Sequence, residues 1–133
     1  MSEFHLKIVT PDGLKFDGMV ESLLVKSASG DVEILAHHAD YFASLGTGRA
    51  KISAGGEKKL ASCSGGFVSV GNNEVTLVAT TFEFKEQIDL ERAKQAKENA
   101  EKAISEAKDS KEIDILRAKL ARALSRISVS EGL

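Results

Sequence analysis

Tryptophan is absent from this chain of 133 residues, aromatics make up 5% of it, and it has one cysteine, Cys63, and one proline, Pro11. A single cysteine excludes an intramolecular disulfide and argues against a cysteine-based zinc site. With so few aromatics the core must be aliphatic. No apolar run approaches the ~18 residues that a membrane span needs, and the N-terminus lacks a signal-peptide pattern. The chain therefore reads as soluble and cytoplasmic, with any membrane association made through partners and no direct insertion. Neither sign of charge dominates, since 18 basic residues face 20 acidic ones. Nothing here forms the basic stripe of a nucleic-acid-binding protein. At this length the chain can bury one modest core, or a small core with an appendage.

What is present changes character at Ile88-Asp89-Leu90-Glu91-Arg92-Ala93. Before it, apolar and polar residues alternate and glycine is frequent. After it there is no proline and no glycine until Gly132, and Ala, Lys, Glu and Leu take over. The hydrophobic period moves from about 2 to about 3.6 residues, so strands give way to helices. Asp89 suits a helix N-cap, because its carboxylate can accept from free N–H groups of the first turn.

Upstream, Phe4, Leu6 and Ile8 alternate with His5 and Lys7 as a half-buried strand. Thr10-Pro11-Asp12-Gly13 is a turn, and Leu14 and Phe16 continue on a second strand. Further strands are expected at 19–27, 32–35, 42–46, 49–53, 58–63, 66–70 and 74–80, many of them separated by glycine-containing turns. Short strands at this spacing favour a sandwich. Candidate chemistry is thin. His37 and His38 are adjacent, so on a strand they would point to opposite faces. Gly55-Gly56 and Gly65-Gly66 lack the phosphate-loop pattern and read as tight turns. Cys63 has no base placed near it in sequence and reads as a small buried residue.

Downstream, Ala93, Ala96, Ala100, Ala103 and Ala107 recur at helical spacing, a small-residue face that another helix can approach closely. Asp109 with Glu112 resembles a capping box at the start of a second helix. That helix carries Ile113, Leu116, Leu120, Leu124 and Ile127 as an apolar stripe, and its tail from Ser128 is expected to fray. So short a connection predicts antiparallel helices. The expected architecture is a two-domain α+β chain: an antiparallel β-sandwich over residues 1–84 and an antiparallel two-helix hairpin over 85–133.

Four of the five arginines, Arg92, Arg117, Arg122 and Arg126, lie in the hairpin. Antiparallel pairing about residue 108 brings Arg92 near residue 125, beside Arg122 and Arg126, which share a helix face as an i,i+4 pair. Three guanidinium groups so close call for an anion between them, or for neutralisation by Glu83, Asp89 and Glu91 as solvated ion pairs. At about 100° per residue both arginines fall far round the second helix from its stripe. On that geometry they meet Arg92 only if the stripe packs on the sandwich.

The segments Ile8-Val9-Thr10-Pro11-Asp12-Gly13, Ser29-Gly30-Asp31, Ser64-Gly65-Gly66-Phe67-Val68, the IDxxRA stretch at 88–93 and Arg122-Ala123-Leu124-Ser125-Arg126-Ile127, in this order, resemble the epsilon subunit family of bacterial F-type ATP synthases. IDxxRA by itself is unspecific, since it recurs at Ile113–Ala118. The chain departs from the family's G-I-L-P-G-H-x-P loop, which here reads Glu33-Ile34-Leu35-Ala36-His37-His38-Ala39-Asp40. Asn99 stands where some nucleotide-binding relatives carry arginine.

The resemblance implies a non-catalytic rotor subunit on the cytoplasmic face of the cell membrane, coupling ion flow to ATP synthesis. Its sandwich would touch the gamma subunit and the ring of c subunits. Its hairpin would fold down on the sandwich, or extend up along the gamma subunit and inhibit ATP hydrolysis, with the alpha and beta subunits as further partners. No cofactor is required. ATP is implied as a regulatory ligand at Glu83, Ile88, Asp89, Arg92, Ala93, Arg122 and Arg126. The alternative is a free-standing nucleotide-sensing or adaptor module outside any rotary complex. An enzyme is disfavoured, because no set of acid, base and nucleophile is visible.

Overall fold

A computed structural model describes residues 2–132, and among them the chain forms ten strands, one 3₁₀ turn and two α-helices. The strands are β1 (Phe4–Thr10), β2 (Gly13–Val20), β3 (Ser22–Ser27), β4 (Gly30–Leu35), β5 (Tyr41–Ser44), β6 (Gly48–Ala54), β7 (Glu57–Ser64), β8 (Phe67–Gly71), β9 (Glu74–Val78) and β10 (Thr81–Phe84). They build two five-stranded sheets, one in the order β2-β1-β9-β8-β5 and the other β10-β7-β6-β3-β4. The 3₁₀ turn, Lys85–Gln87, leads to the helices α1 (Leu90–Glu106) and α2 (Ser110–Ser130).

The alternation of β1 is realised directly. Phe4, Leu6, Ile8 and Thr10 are buried, while the residues between them face outward. Val20, Leu23, Val25, Ile34, Ile52, Val68, Val75 and Leu77 fill the space between the sheets, giving the aliphatic core that the composition requires. Each such side chain contributes about 1.5–3 kcal/mol on burial. Cys63 belongs to this core, at 4% exposure. Gly66 is demanded by close approach at a turn: its φ is +88°, and a Cβ there would lie 1.8 Å from the Val78 carbonyl oxygen.

Three expectations about the strands need correction. The sandwich is not wholly antiparallel, because β1 pairs with β9 in parallel. These two strands are far apart in sequence, so no hairpin constrains their direction. The strand expected over 19–27 is two strands in different sheets. The chain crosses between them at Glu21, whose N–H donates to the Ser53 carbonyl at 2.7 Å and whose carboxylate accepts from the Gly55 N–H at 2.9 Å. The strand expected to continue to residue 80 ends at Val78, and β10 begins in the other sheet at Thr81.

The helices pack against each other, and α2 packs on β6 and β7. Asp89 caps α1 as expected, its carboxylate accepting from the Arg92 N–H at 3.1 Å. Asp109 caps α2 through the Lys111 N–H at 3.2 Å, without a reciprocal bond from Glu112 among the described residues. The tail does not fray at Ser128. Instead α2 continues to Ser130, with Val129 fully buried. Leu133 lies outside the described residues. Among the described residues no helix is long and apolar enough to cross a membrane.

The side of α2 turned to the sandwich is not the leucine stripe. Ser125 is buried there and its hydroxyl shares a 2.8 Å hydrogen bond with that of Ser62 on β7. At about 100° per residue, Leu116, Leu120 and Ile127 lie about 140–180° round from Ser125 and so turn toward α1. Leu124, at the margin, is 45% exposed. Small side chains let α2 sit close on the sheet, while the alanine face of α1, with Ala93 and Ala100 buried, accommodates the stripe.

Candidate functional site

A cavity of about 590 Å³ opens where the β1–β2 turn, β10, the start of α1 and the last turns of α2 converge. The Ala79 N–H donates to the Val9 carbonyl at 2.9 Å, holding the end of β1 against the chain that leads into β10. That contact brings Thr10 and Thr81 to one cavity wall. The sandwich contributes Asp12, Lys15 and Glu83, and the hairpin contributes Asp89, Arg92, Ala93 and Arg126.

Of the seven residues implied for a regulatory ligand, Glu83, Asp89, Arg92, Ala93 and Arg126 line this cavity. Ile88 and Arg122 do not. Ile88 stands between two lining residues, Gln87 and Asp89, and Arg122 stands one helical turn before Arg126. The helical-wheel condition proves unnecessary: Arg126 reaches the cavity although the stripe faces α1 rather than the sandwich. Asn99 is elsewhere, accepting from the Gln95 side chain at 2.9 Å on the exposed face of α1.

Arg126 donates through Nε to a carboxylate oxygen of Glu83, joining α2 to β10. Their side chains are 28% and 33% exposed, so solvent screens the pair and it contributes about 1 kcal/mol at most. Asp89 is engaged with the first turn of α1. Among the described residues neither Lys15 nor Arg92 has a carboxylate within 4.0 Å. Three cationic and three anionic side chains thus share the wall: Lys15, Arg92 and Arg126 against Asp12, Glu83 and Asp89. Such a mixed lining suits a ligand that carries both anionic groups and hydrogen-bond donors. Its size falls within the range of small-ligand sites. Its two threonine hydroxyls are engaged elsewhere, Thr10 donating to the Gly13 carbonyl and Thr81 bonding to the Ser64 hydroxyl.

Sequence reasoning missed Thr10, Asp12, Lys15 and Thr81. Their presence depends on the parallel β1–β9 pairing and the crossing before β10, neither of which has a local signal. The other residues weighed earlier lie apart. Burial pushes the Cys63 thiol up to about 12, which makes it a poor nucleophile. His37 adopts a left-handed backbone, φ +62°, with its N–H donating to the Asn73 side-chain oxygen at 2.8 Å. The His38 ring meets Tyr41 edge-on. Among the described residues no three His, Cys, Asp or Glu side chains are placed to hold a metal ion together.

The model of the ATP synthase delta/epsilon chain β-sandwich domain matches residues 3–85, and that of the delta/epsilon chain long α-helix domain matches residues 86–131. The chain is 39% identical over 132 residues to the ATP synthase epsilon chain of Halalkalibacterium halodurans, covering 98% of each. It is 34% identical over 131 residues to that of Caldicellulosiruptor bescii, covering 98% of this chain and 96% of the relative. Among solved structures, a chain of the Euglena gracilis mitochondrial ATP synthase shares the fold with a TM-score of 0.84 at 22% identity. That match covers 98% of this chain and 82% of the other.

Proposed function

The chain belongs to the ATP synthase delta/epsilon chain family, as a non-catalytic subunit of the epsilon type, and we propose that its hairpin is an ATP-responsive brake on ATP hydrolysis. In this reading the sandwich is a fixed part of the central stalk, in contact with the gamma subunit and the c ring, peripheral to the membrane. The hairpin extends up along the gamma subunit, toward the alpha and beta subunits, to obstruct hydrolytic rotation, and ATP favours the docked form.

The observation that carries the ATP-responsive part is a cavity walled by both domains. A ligand held between Glu83 on β10 and Arg92 and Arg126 on the helices fits only while the hairpin is docked. It therefore binds one of two states preferentially, which is the sole requirement for shifting their balance. Arginine grips phosphate oxygens in bidentate fashion, and the start of α1 adds N–H groups and a favourable dipole. Asp89 and Glu83 can accept from an amino group or a ribose hydroxyl. Ile88, Ala93 and Arg122 complete the proposed ligand set.

The uncovered face of the first sheet suits a stalk partner. Leu14 pairs with Val9, Val9 with Val78, and Val78 with Phe67, forming one apolar row across four strands. Phe42 stacks on Phe67 at 5.2 Å and is 67% exposed. The hairpin packs on the other sheet and leaves this row open.

Calorimetric titration with ATP tests the site. Wild-type chain should bind, and Arg92→Ala should weaken binding by about 1.5–3 kcal/mol, the scale of a charge-assisted hydrogen bond. Its folding stability should stay unchanged, because Arg92 is exposed and free of an acidic partner among the described residues. No heat at millimolar ATP, with no change in the amide signals near Arg92, would refute the nucleotide reading.

A further inference from the structure

The β1–β2 pairing contains, just after its turn, an irregularity that the proposed function does not use. Ile8 pairs with Phe16 and Val9 with Leu14, so Lys15 is an extra residue with no partner on β1. A bulge of this kind breaks the alternation and re-aims a side chain. Here it lets Leu14 face outward, at 57% exposure, while Phe16 packs against the core. Lys15 is left lining the cavity with Arg92 and Arg126, half-buried and without a carboxylate within 4.0 Å among the described residues. Of the three cations on the wall it alone belongs to the sandwich.

Resting on the nucleotide reading, the geometry points to Lys15 as a phosphate-binding residue supplied by the sandwich and aimed into the cavity by the bulge. A phosphate tail is then gripped from two bodies at once, by Lys15 on the β1–β2 turn and by Arg92 and Arg126 on the helices. When the hairpin leaves, both arginines leave with it and Lys15 stays. Simultaneous contact of one tail with Lys15 and with both arginines is thus available only in the docked form, which ties this contact to ATP's preference for that form.

Titration of the full-length chain with ATP separates the outcomes, with circular dichroism establishing that each variant is folded. Lys15→Gln should raise the ATP dissociation constant on the order of tenfold, as loss of one charged contact does. Lys15→Arg, which keeps the charge, should stay within about threefold of wild type. In Lys15→Gln, saturating ATP should also protect the α2 amides from hydrogen exchange less than it does in wild type. Wild-type affinity in Lys15→Gln overturns the inference and leaves the nucleotide site standing. Equal loss in Lys15→Arg and Lys15→Gln assigns the effect to the shape of the turn and overturns it as well. If the wild-type chain binds no ATP, both the inference and the reading it rests on fall.

Discussion

At the scale of single residues, the histidine at position 37 carries a cost that glycine would not. Its φ of +62° puts a Cβ in the left-handed region, which disfavours an L side chain by about 1–2 kcal/mol. The family pattern has glycine there, and the bond holding the loop, from the His37 N–H to Asn73, involves only backbone on this side. His37→Gly should therefore stabilise the sandwich by about 0.5–1 kcal/mol after the added flexibility of the unfolded chain is counted. Urea unfolding measures this, and a loss of stability would show that the imidazole makes a contact outweighing the strain. Cys63 supplies a second case. Burial raises its thiol from 9.0 to about 12, so the folded chain favours the protonated form. Its contribution is whole below the unfolded value and is lost as pH rises from about 9 toward 12. Compared with Cys63→Ala, the wild-type chain should lose about 2 kcal/mol more between pH 8 and pH 10.5. Parallel curves for the two proteins would show that the thiol is better solvated than its position implies.

Among the elements, α2 decides how the hairpin sits, and it sits on little. The buried side chains of the helices, Ala93, Ala100, Ala123, Ser125 and Val129, are small, and none of them joins the core between the sheets. Docking relies on the Ser62–Ser125 hydrogen bond, the Glu83–Arg126 pair and the burial of Val129. Ser125→Ala leaves the Ser62 hydroxyl buried without its partner, which should weaken docking by about 1–3 kcal/mol. The double change Ser62→Ala with Ser125→Ala should cost less than the sum of the single ones, because no orphan hydroxyl remains. Hydrogen exchange of the α2 amides reads this directly, and additive effects would mean the two hydroxyls are not coupled. The same element shows how far sequence reasoning reached. The change of period at Ile88, the Asp89 cap and the antiparallel pairing were legible, because each is local. The sheet crossings at Glu21 and Ala79 were not, since alternation runs through both without a turn residue. Nor was the face on which α2 docks, because the apolar stripe names a buried side but not which neighbour buries it. The cavity was half legible for the same reason. Arg92 and Arg126 follow from helix pairing, whereas Asp12 and Lys15 arrive only through the β1–β9 pairing and the bulge.

For the whole molecule, the separation of the sandwich core from the hairpin has a consequence for motion. The core is closed by residues between Phe4 and Phe82, with Phe84 packed against its margin, and no side chain of the helices belongs to it. A chain ending at Phe84 should fold, with the circular dichroism of a β protein. An unfolded product would mean that α2 is part of the sandwich rather than a lid on it. Because docking buries little apolar surface, the docked and undocked forms can lie within a few kcal/mol of each other, within reach of one ligand's preference. Each helix is long enough to matter when it leaves: α2, with 21 residues, extends about 30 Å at 1.5 Å per residue. Deleting residues 88–133 should accordingly leave assembly on the stalk intact, because the open apolar row from Leu14 to Phe42 belongs to the sheet opposite the one on which α2 packs. ATP hydrolysis by the assembled complex should rise. Adding ATP-site variants to the same comparison orders the causes. If nucleotide holds the brake off, Arg92→Ala in the full-length chain should lower hydrolysis at millimolar ATP, opposite in sign to the deletion, since it frees the hairpin to extend. Unchanged hydrolysis in the deletion would show that this hairpin does not obstruct rotation. A rise in hydrolysis with Arg92→Ala would show that the docked form, not the extended one, is the inhibitory state.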